Sequence, residues 1–204
     1  MLMNWPIKQV GTGEELYPKL LRQIHDFPKN LYCRGNISLL NSSCFAVVGT
    51  RKLTSYGKET AQQIVRDLAN NGFTIVSGLA LGIDAVAHQA TLDCGGKTIA
   101  VLGGGVGDEN IGPRTNFHLA QNILKNDGLL ISEYSDKEKI FAFNFAIRDR
   151  IISGLSLGVL VIEADEKSGA LITAKCALDQ NRDVFAVPGS VLSPKSVGPN
   201  TLIQ

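Results

Sequence analysis

Basic and small residues that follow short apolar runs are the residues of this chain best suited to chemistry. Arg51 comes shortly after the run 45–48, with Gly49 two positions before it and a segment of helical period after it. A guanidinium binds phosphate through two parallel hydrogen bonds and also stacks on bases. Glycine permits close approach of backbone to a ligand, and the start of a helix presents unpaired N–H groups. This combination predicts a phosphate contact at Arg51, the alternative being a surface arginine paired with an acid.

Four loops follow apolar runs and combine glycine with small polar residues. They are residues 49–51, 77–84, 103–107 and 163–170, called here the first, second, third and fourth loops. A single glycine-rich turn is a weak signal, because glycine also serves simply to let the chain bend. Four such loops at one edge of a sheet favour a surface that binds phosphates through backbone N–H groups.

Three more basic residues are candidates for anion contacts. Arg148 and Arg150 lie two apart in a segment of helical period and point to different faces, so at most one of them faces a ligand directly. Lys175 is the single charged residue of segment 170–178, which is otherwise almost wholly apolar or small. We predict a buried helix there, in which Lys175 either points at an anion or extends its amine to solvent.

Two groups of side chains have both a chemical and a structural interpretation. Asp84 and His88 are four residues apart on a predicted helix. A histidine held by an aspartate can act as a general base, although a helix cap with a surface pair is favoured. Phe141, Phe143 and Phe145 precede the arginines and either stack on exposed bases or fill the core. Core filling is predicted for two of the three.

Motifs for common cofactors are missing. Gly103 and Gly105 begin a dinucleotide-type pattern, but Asp108 stands where its third glycine belongs, and no Walker A sequence occurs. The three histidines lack the spacing of metal ligands. We therefore expect neither NAD nor ATP, no other cofactor and no metal.

Six continuous apolar runs must position these loops. The runs are residues 45–48, 73–76, 98–102, 129–131, 157–162 and 184–187, and segments of helical period separate most of them. Continuous rather than alternating apolar residues are typical of strands covered on both faces. Strands that alternate with helices predict the α/β class, a Rossmann-like, doubly wound and mostly parallel sheet with helices on both faces.

Residues 1–44 do not follow this alternation. They contain Pro6, Pro18 and Pro28 and a possible short helix over residues 16–24. We predict that they form an N-terminal extension packed on a Rossmann-like domain of residues 45–204, rather than an independent domain.

Charge and cysteine content exclude several classes of protein. The 20 basic and 19 acidic residues give a net charge of +1, which excludes a polybasic binder, so nucleic acid must be bound by a local basic cluster. The four cysteines form no C-x-x-C pair, and neither a secretory signal nor an apolar run of roughly 18 residues occurs. We therefore expect reduced cysteines in a cytoplasmic protein without a membrane span.

A series of short motifs resembles, in order, those of the DNA-processing protein A family, also called DprA or Smf. The matching segments are Val48-Gly-Thr-Arg51 with Tyr56-Gly57, and residues 17–20, 77–84, 87–88, 97–103, 131–133, 150–155, 161–164, 168–174, 182–189 and 198–203. They cover most of the chain.

The resemblance implies a homodimer that binds and protects single-stranded DNA without strong sequence preference. It implies loading of the RecA recombinase onto that DNA during natural transformation or recombination, and no catalysis. Arg51 is the leading candidate for a DNA contact. Carried onto this chain, the contacts to DNA phosphates fall on Arg51 and on the backbone of residues 77–82, 103–105 and 168–170. Together with the basic residues discussed above, the predicted contacts are Gly49, Thr50, Arg51, Ser77, Gly78, Leu79, Ala80, Gly82, Gly103, Gly104, Gly105, Arg148, Arg150, Ser168, Gly169, Ala170 and Lys175.

Three features depart from the family pattern. Residues 110–116 replace the usual Tyr-Pro and following Asn, and Asp149 replaces the Asn of Phe-Pro-x-Arg-Asn-Arg. A carboxylate at position 149 adds negative charge near the proposed anion site and weakens it unless an arginine neutralises that charge. The helical N-terminal domain and the winged helix of many members are not expected in this chain.

An enzyme is the alternative. The predicted fold is similar to that of the Lonely-guy-type nucleotide phosphoribohydrolases, whose Pro-Gly-Gly-x-Gly-Thr run is replaced here by residues 168–173. In this alternative Glu163 and Arg148 form a catalytic pair that releases a free base from a nucleotide.

Overall fold

A single sheet runs through the molecule in the computed structural model, which describes residues 5–204. Its eight strands are β1 (Ile7–Gly11), β2 (Asn30–Gly35), β3 (Cys44–Val48), β4 (Thr74–Ser77), β5 (Thr98–Val101), β6 (Leu129–Ser132), β7 (Gly158–Val161) and β8 (Asp183–Ala186). They lie in the order β1-β2-β6-β5-β4-β3-β7-β8 within the described part of the chain. The six strands from β3 onward are parallel, while β1 and β2 are antiparallel. The prediction of a mostly parallel, doubly wound sheet is therefore confirmed.

Helices cover both faces of the sheet. They are α1 (Ser55–Asn70), α2 (Ile83–Asp93), α3 (Phe117–Lys125), α4 (Asn144–Leu155), α5 (Ala170–Asp179) and α6 (Val197–Ile203). One face packs against α1, α2 and α3, and the opposite face packs against α4 and α5. None of the helices in residues 5–204 is both long enough and apolar enough to cross a membrane.

The continuous apolar runs are explained by this double covering. Every residue of β4, β5, β6 and β7 is buried. Val76 and Ile99 pack in the core on the α4 and α5 side, whereas Ile75 and Ala100 pack on the side of α1, α2 and α3. Side chains that alternate between two buried layers leave no solvent-facing row, so the strand sequences show no alternation of apolar and charged residues.

The N-terminal residues extend the sheet beyond β6. β2 pairs with β6 and β1 pairs with β2. The predicted helix over residues 16–24 is reduced to a 3₁₀ turn at Leu21–Gln23, because Leu21 and Ile24 turn inward against Gly154 of α4. The division of the chain at residue 44 stays a prediction, and its first four residues lie outside the described part.

Candidate nucleic-acid interface

An open pocket of about 560 Å³ lies at the carboxyl ends of β3 and β7. After β3 the chain crosses to β4 on one side, and β7 pairs with the other side of β3. The order of strands reverses between these two, and ligands of doubly wound sheets bind in the crevice at such a reversal. The first loop and the fourth loop form two walls of the pocket.

Basic side chains line this pocket. They are Arg51 and Lys52 after β3, Lys167 in the fourth loop, and Lys195 before α6. The Lys195 Nζ lies 2.8 Å from the Asp165 Oδ2, and among the described residues it is the one cation of the four with an acidic partner within 4 Å. The exposed Arg51, Lys52 and Lys167 are therefore available to an anionic ligand.

The start of α5 faces the same space. Ser168, Gly169 and Ala170 line the pocket where this ten-residue helix begins. The first N–H groups of a helix have no partner within the helix and carry partial positive charge, which favours phosphate. The N–H groups of Ala170, Leu171 and Ile172 already donate to Ser168 and Gly169, so the start of α5 contributes mainly its partial positive charge. The first and fourth loops thus bring this charge and exposed cations to one site.

The first loop is held rigidly on both sides. The Thr50 N–H donates to the Glu163 carbonyl oxygen at 2.6 Å, and the Ile83 N–H donates to the Thr50 carbonyl oxygen at 3.2 Å. The backbone next to Arg51 is therefore fixed to the residues after β7 and to the start of α2. A fixed loop lowers the entropy that a ligand contact must overcome.

The floor of the pocket holds a buried arginine and two buried carboxyl groups. The Arg148 guanidinium donates from Nη1 to the carbonyl oxygens of Gly78, at 2.7 Å, and Val101, at 2.6 Å. Its Nε lies 3.2 Å from the Asp149 Oδ1. The Asp84 carboxylate accepts the N–H groups of Gly78 and Ala80. Arg148 therefore ties α4 to the ends of β4 and β5 beneath the pocket.

Burial governs the titration of both carboxyl groups. It raises the pKa of Asp149 to about 7, although the neighbouring Arg148 charge opposes this rise and the Asp84 carboxylate adds to it. Burial also raises the pKa of Asp84, against the opposing charge of Arg148. Removal of a charged group from water disfavours its ionised form, and one guanidinium does not fully compensate two carboxylates.

The structure separates the two arginines of α4. Arg148 lines the pocket, while Arg150 donates to the Glu133 carboxylate at 2.7 and 2.9 Å and lies 2.8 Å from the Asp26 carboxylate. This agrees with the expectation that one of the two at most faces a ligand. Because the Arg148 guanidinium donates hydrogen bonds to two backbone carbonyl oxygens, it stabilises the second loop as well as lining the pocket.

The third loop does not reach the pocket. Gly103, Gly104 and Gly105 are buried, and side chains of residues 136–145 occupy the space that their missing Cβ atoms leave. Gly105 lies against Asp136, whose Oδ1 also accepts the Gly107 N–H at 2.8 Å. These glycines permit close packing of protein on protein, so the phosphate contacts expected of Gly103–Gly105 are not supplied by this geometry.

The second loop mainly supports the first. The buried Ser77 donates through Oγ to the Val47 carbonyl oxygen at 2.7 Å, and Gly78 and Leu79 are also buried. Gly82 lies directly against the backbone of Thr50 and Arg51. Of the residues expected to contact phosphate in this loop, Ala80 is the one that lines the pocket.

Lys175 lies outside the pocket lining. It is exposed on α5, one turn beyond Ile172, which does line the pocket. The prediction that this helix is buried was wrong, because Ile172, Lys175 and Leu178 form an exposed stripe along it. Its position on that stripe leaves Lys175 beside the rim.

Asp84 and His88 form neither the general-base pair nor the favoured surface pair, because both side chains are buried and have other partners. The buried His88 shares a hydrogen bond of 2.7 Å between its Nδ1 and the Thr98 Oγ1, whereas Asp84 binds backbone N–H groups. Burial lowers the pKa of His88 to about 3, with a further contribution from Arg148. Both residues therefore serve the packing of α2.

Two aromatic side chains stand at the rim. Phe141 and Phe143 are 49% and 59% exposed and stack on each other with 5.3 Å between ring centroids. Core filling was predicted for two of the three phenylalanines, which is wrong: only Phe145 packs inward, against Gly103. Ala142 and Phe145 line the pocket, so the exposed rings flank its wall.

Several residues of the pocket escaped the sequence-based prediction. Lys52 follows Arg51 and Lys167 precedes Ser168 in the sequence. Their position beside predicted contact residues is the feature of the sequence that could have identified them. Lys195 is distant in the sequence from the other lining residues. The segment before α6 packs on the backbone of Ala164, whose N–H donates to the Lys195 carbonyl oxygen. This packing brings Lys195 to the pocket.

Glu163 and Arg148 belong to different cavities. Glu163 is buried beside a smaller cavity of about 330 Å³ lined by serines. It accepts the Thr54 N–H at 2.9 Å and the Thr54 hydroxyl at 2.5 Å. The catalytic pair of the enzyme alternative is therefore not assembled, and Glu163 instead anchors the start of α1.

We expect Glu163→Gln to lower the free energy of unfolding by about 1.5–3 kcal/mol, because it replaces charge-assisted hydrogen bonds and leaves a buried group poorly paired. Urea denaturation measures the change. Gln63→Ala, at an exposed position of α1, serves as the control and should stay within about 0.5 kcal/mol. Equal stability of the Glu163 variant and the wild type would contradict the anchoring role.

The sheet, its reversal and the pocket together define a Rossmann-like α/β protein with a pocket lined by basic residues at the carboxyl edge. Residues 8–204 match the family described as DNA recombination-mediator protein A. The chain belongs to this family, as the motifs had indicated. It is 47% identical to Protein Smf of Escherichia coli over 96% of its length and 43% identical to DNA processing protein DprA of Bacillus subtilis over 97%.

Solved structures agree with this assignment. The DNA processing protein A of Streptococcus pneumoniae matches with a TM-score of 0.90 and 42% identity, over the whole of this chain and 70% of that one. The single-stranded DNA-binding DNA processing protein A of Helicobacter pylori matches with a TM-score of 0.86 and 32% identity, over the whole of this chain and 89% of that one. This chain spans 52% of the E. coli protein and 66% of the B. subtilis protein.

Proposed function

We propose that this chain binds single-stranded DNA at the pocket and acts as a recombination mediator. The observation that carries the proposal is the grouping of Arg51, Lys52 and Lys167 around the start of α5, at the point where the strand order reverses. Membership of the mediator family and likeness to the H. pylori DNA-binding protein support it. The protein acts by binding, and no residue is assigned a catalytic role.

The chemistry of the pocket fits a phosphate backbone better than a particular base sequence. Cations and backbone N–H groups bind phosphate oxygens without reading base edges. The stacked and exposed Phe141 and Phe143 present apolar ring surface beside the pocket, and any base can stack on such a surface. We therefore expect contacts from Gly49, Thr50, Arg51, Ser168, Gly169 and Ala170, with Lys175 at the rim.

Dimerisation and recombinase loading complete the proposal. The net charge of +1 implies modest affinity of one protomer for DNA, and a homodimer would hold one strand at two pockets with a high effective concentration. Delivery of that strand to RecA follows from the role of a recombination mediator. Such work takes place where chromosomal or incoming DNA is processed, which is the cytoplasm.

We expect Arg51→Ala to weaken binding of oligothymidine about tenfold, which corresponds to roughly 1.4 kcal/mol. The same variant should lower the slope of log K against log salt concentration by about one unit, because one phosphate contact is lost. Fluorescence anisotropy at several salt concentrations measures both quantities.

The control for this experiment is Arg66→Ala. Arg66 is exposed on α1 and does not line the pocket, so the variant makes the same change of net charge at a distance. We expect it to bind oligothymidine within about twofold of the wild type. Equal weakening by both substitutions would mean that overall charge, and not the pocket, binds DNA.

A further inference from the structure

Asp149 is a buried carboxyl group inside a pocket otherwise suited to anions. It lines the floor and is 8% exposed. The titratable and charged groups that face it come from each surrounding element. They are Arg148 on its own helix, Asp84 on α2, Arg51 in the first loop and Cys176 on α5, with the Thr173 hydroxyl of α5 as a hydrogen-bond partner.

The charges of the floor do not balance when Asp149 is ionised. Arg148 is the one buried cation near two carboxylates, and two backbone carbonyl oxygens already accept its Nη1 donor. A phosphate held by Arg51 and the start of α5 would bring further negative charge close to this carboxylate. Like charges separated by a few ångströms in a poorly hydrated site repel strongly.

A proton removes this conflict at little structural cost. The neutral acid keeps the size and shape of the carboxylate and gains an O–H donor. Burial has already raised the pKa of Asp149 to about 7, so the free protein holds the group close to half protonated at neutral pH.

We propose that binding of a phosphate anion in this pocket is coupled to the uptake of one proton by Asp149. The proton comes from solvent and adds to a carboxylate oxygen, with no other bond made or broken. Asp149 thus determines how strongly the pocket holds an anion. With DNA as the ligand the inference rests on the proposed function; with inorganic phosphate it stands without it.

The size of the effect follows from linkage. If the bound state keeps Asp149 protonated throughout the range, affinity falls about tenfold between pH 6 and pH 8, because the free protein loses the proton with a pKa of about 7. Asp149→Asn has no proton to take up. Its affinity should stay flat over this range and should exceed that of the wild type about tenfold at pH 8.

The experiment compares the wild type with Asp149→Asn for two ligands. Anisotropy of labelled oligothymidine is followed from pH 6 to pH 8 at constant ionic strength. Calorimetric titration with inorganic phosphate, in two buffers of different ionisation enthalpy, counts the protons taken up. The phosphate and every other titratable group are the same in both experiments, so the difference between the two proteins in pH profile and in protons taken up isolates Asp149.

The outcomes separate the two proposals. Proton uptake with phosphate by the wild type, absent in the Asn variant, supports the inference. If the two proteins differ in this way with phosphate but neither binds oligothymidine at any pH, the inference stands and the DNA-binding proposal fails. Identical pH profiles of the two proteins, weaker binding by the Asn variant, or no phosphate binding by either would overturn the inference.

Discussion

Arg148→Met should lower the free energy of unfolding by about 3–5 kcal/mol, because it leaves buried charges without their partner. The guanidinium is 4% exposed, donates to the ends of β4 and β5, and lies beside the Asp149 carboxylate. Methionine fills a similar length of side chain but offers no donor. For a chain of about 200 residues such a loss lowers Tm by roughly 10 °C, and urea denaturation measures it directly.

The loss in this variant should depend on pH in a definite direction. Without Arg148, burial raises the pKa values of Asp84 and Asp149 further in the folded state. A carboxyl group with a raised folded-state pKa lowers stability progressively as the pH rises from its unfolded pKa of about 4 to the folded value, above which the loss is constant. The destabilisation measured at pH 5.5 should therefore be smaller than that at pH 8.

Arg150→Met is the matched control. It makes the same substitution two residues away on α4. The partners of Arg150 are Glu133, whose side chain is 15% exposed, and Asp26, whose side chain is 63% exposed, so both carboxylates still reach water. We expect a cost of about 1–2 kcal/mol. If the Arg148 variant were no less stable than this one, or were equally affected at both pH values, Arg148 would not be the group that compensates the floor.

The sequence predicts the sheet well and the site only in part, for physical reasons that particular residues show. The strands from β3 to β8 were found because burial on both faces leaves uninterrupted apolar runs. Arg51 was found because its place after a strand fixes it at the carboxyl edge. Which partner fills the space beside a glycine is decided by tertiary packing, so Gly105 looked suited to phosphate although Asp136 occupies that space.

For charged residues, too, tertiary packing and not the sequence alone determines the role. Arg148 and Lys175 both looked like ligands of an anion, yet the first is buried under two carbonyl oxygens and the second is exposed on α5. The sequence does not distinguish a buried basic residue from an exposed one. Only the neighbours that the fold supplies decide whether the charge binds a ligand, supports a loop or meets solvent.

Gly82→Ala should damage the first loop from a position outside the pocket lining. Gly82 has φ +81° and approaches the Thr50 and Arg51 backbone so closely that a Cβ would overlap the Thr50 carbonyl oxygen. Two costs add, the left-handed backbone of about 1–2 kcal/mol and displacement of backbone atoms of about 1–3 kcal/mol. We expect stability to fall by about 2–5 kcal/mol and oligothymidine binding to weaken at least as much as in Arg51→Ala.

Gly72→Ala separates these two costs. Gly72 has φ +86°, but nothing lies within 4 Å of the position of its Cβ, so this variant carries the backbone strain without the overlap. It should lose only about 1–2 kcal/mol and bind oligothymidine like the wild type. Equal effects of the two alanines on stability would show that backbone strain alone matters. Normal DNA binding by folded Gly82→Ala would show that the first loop need not rest on the second to present Arg51.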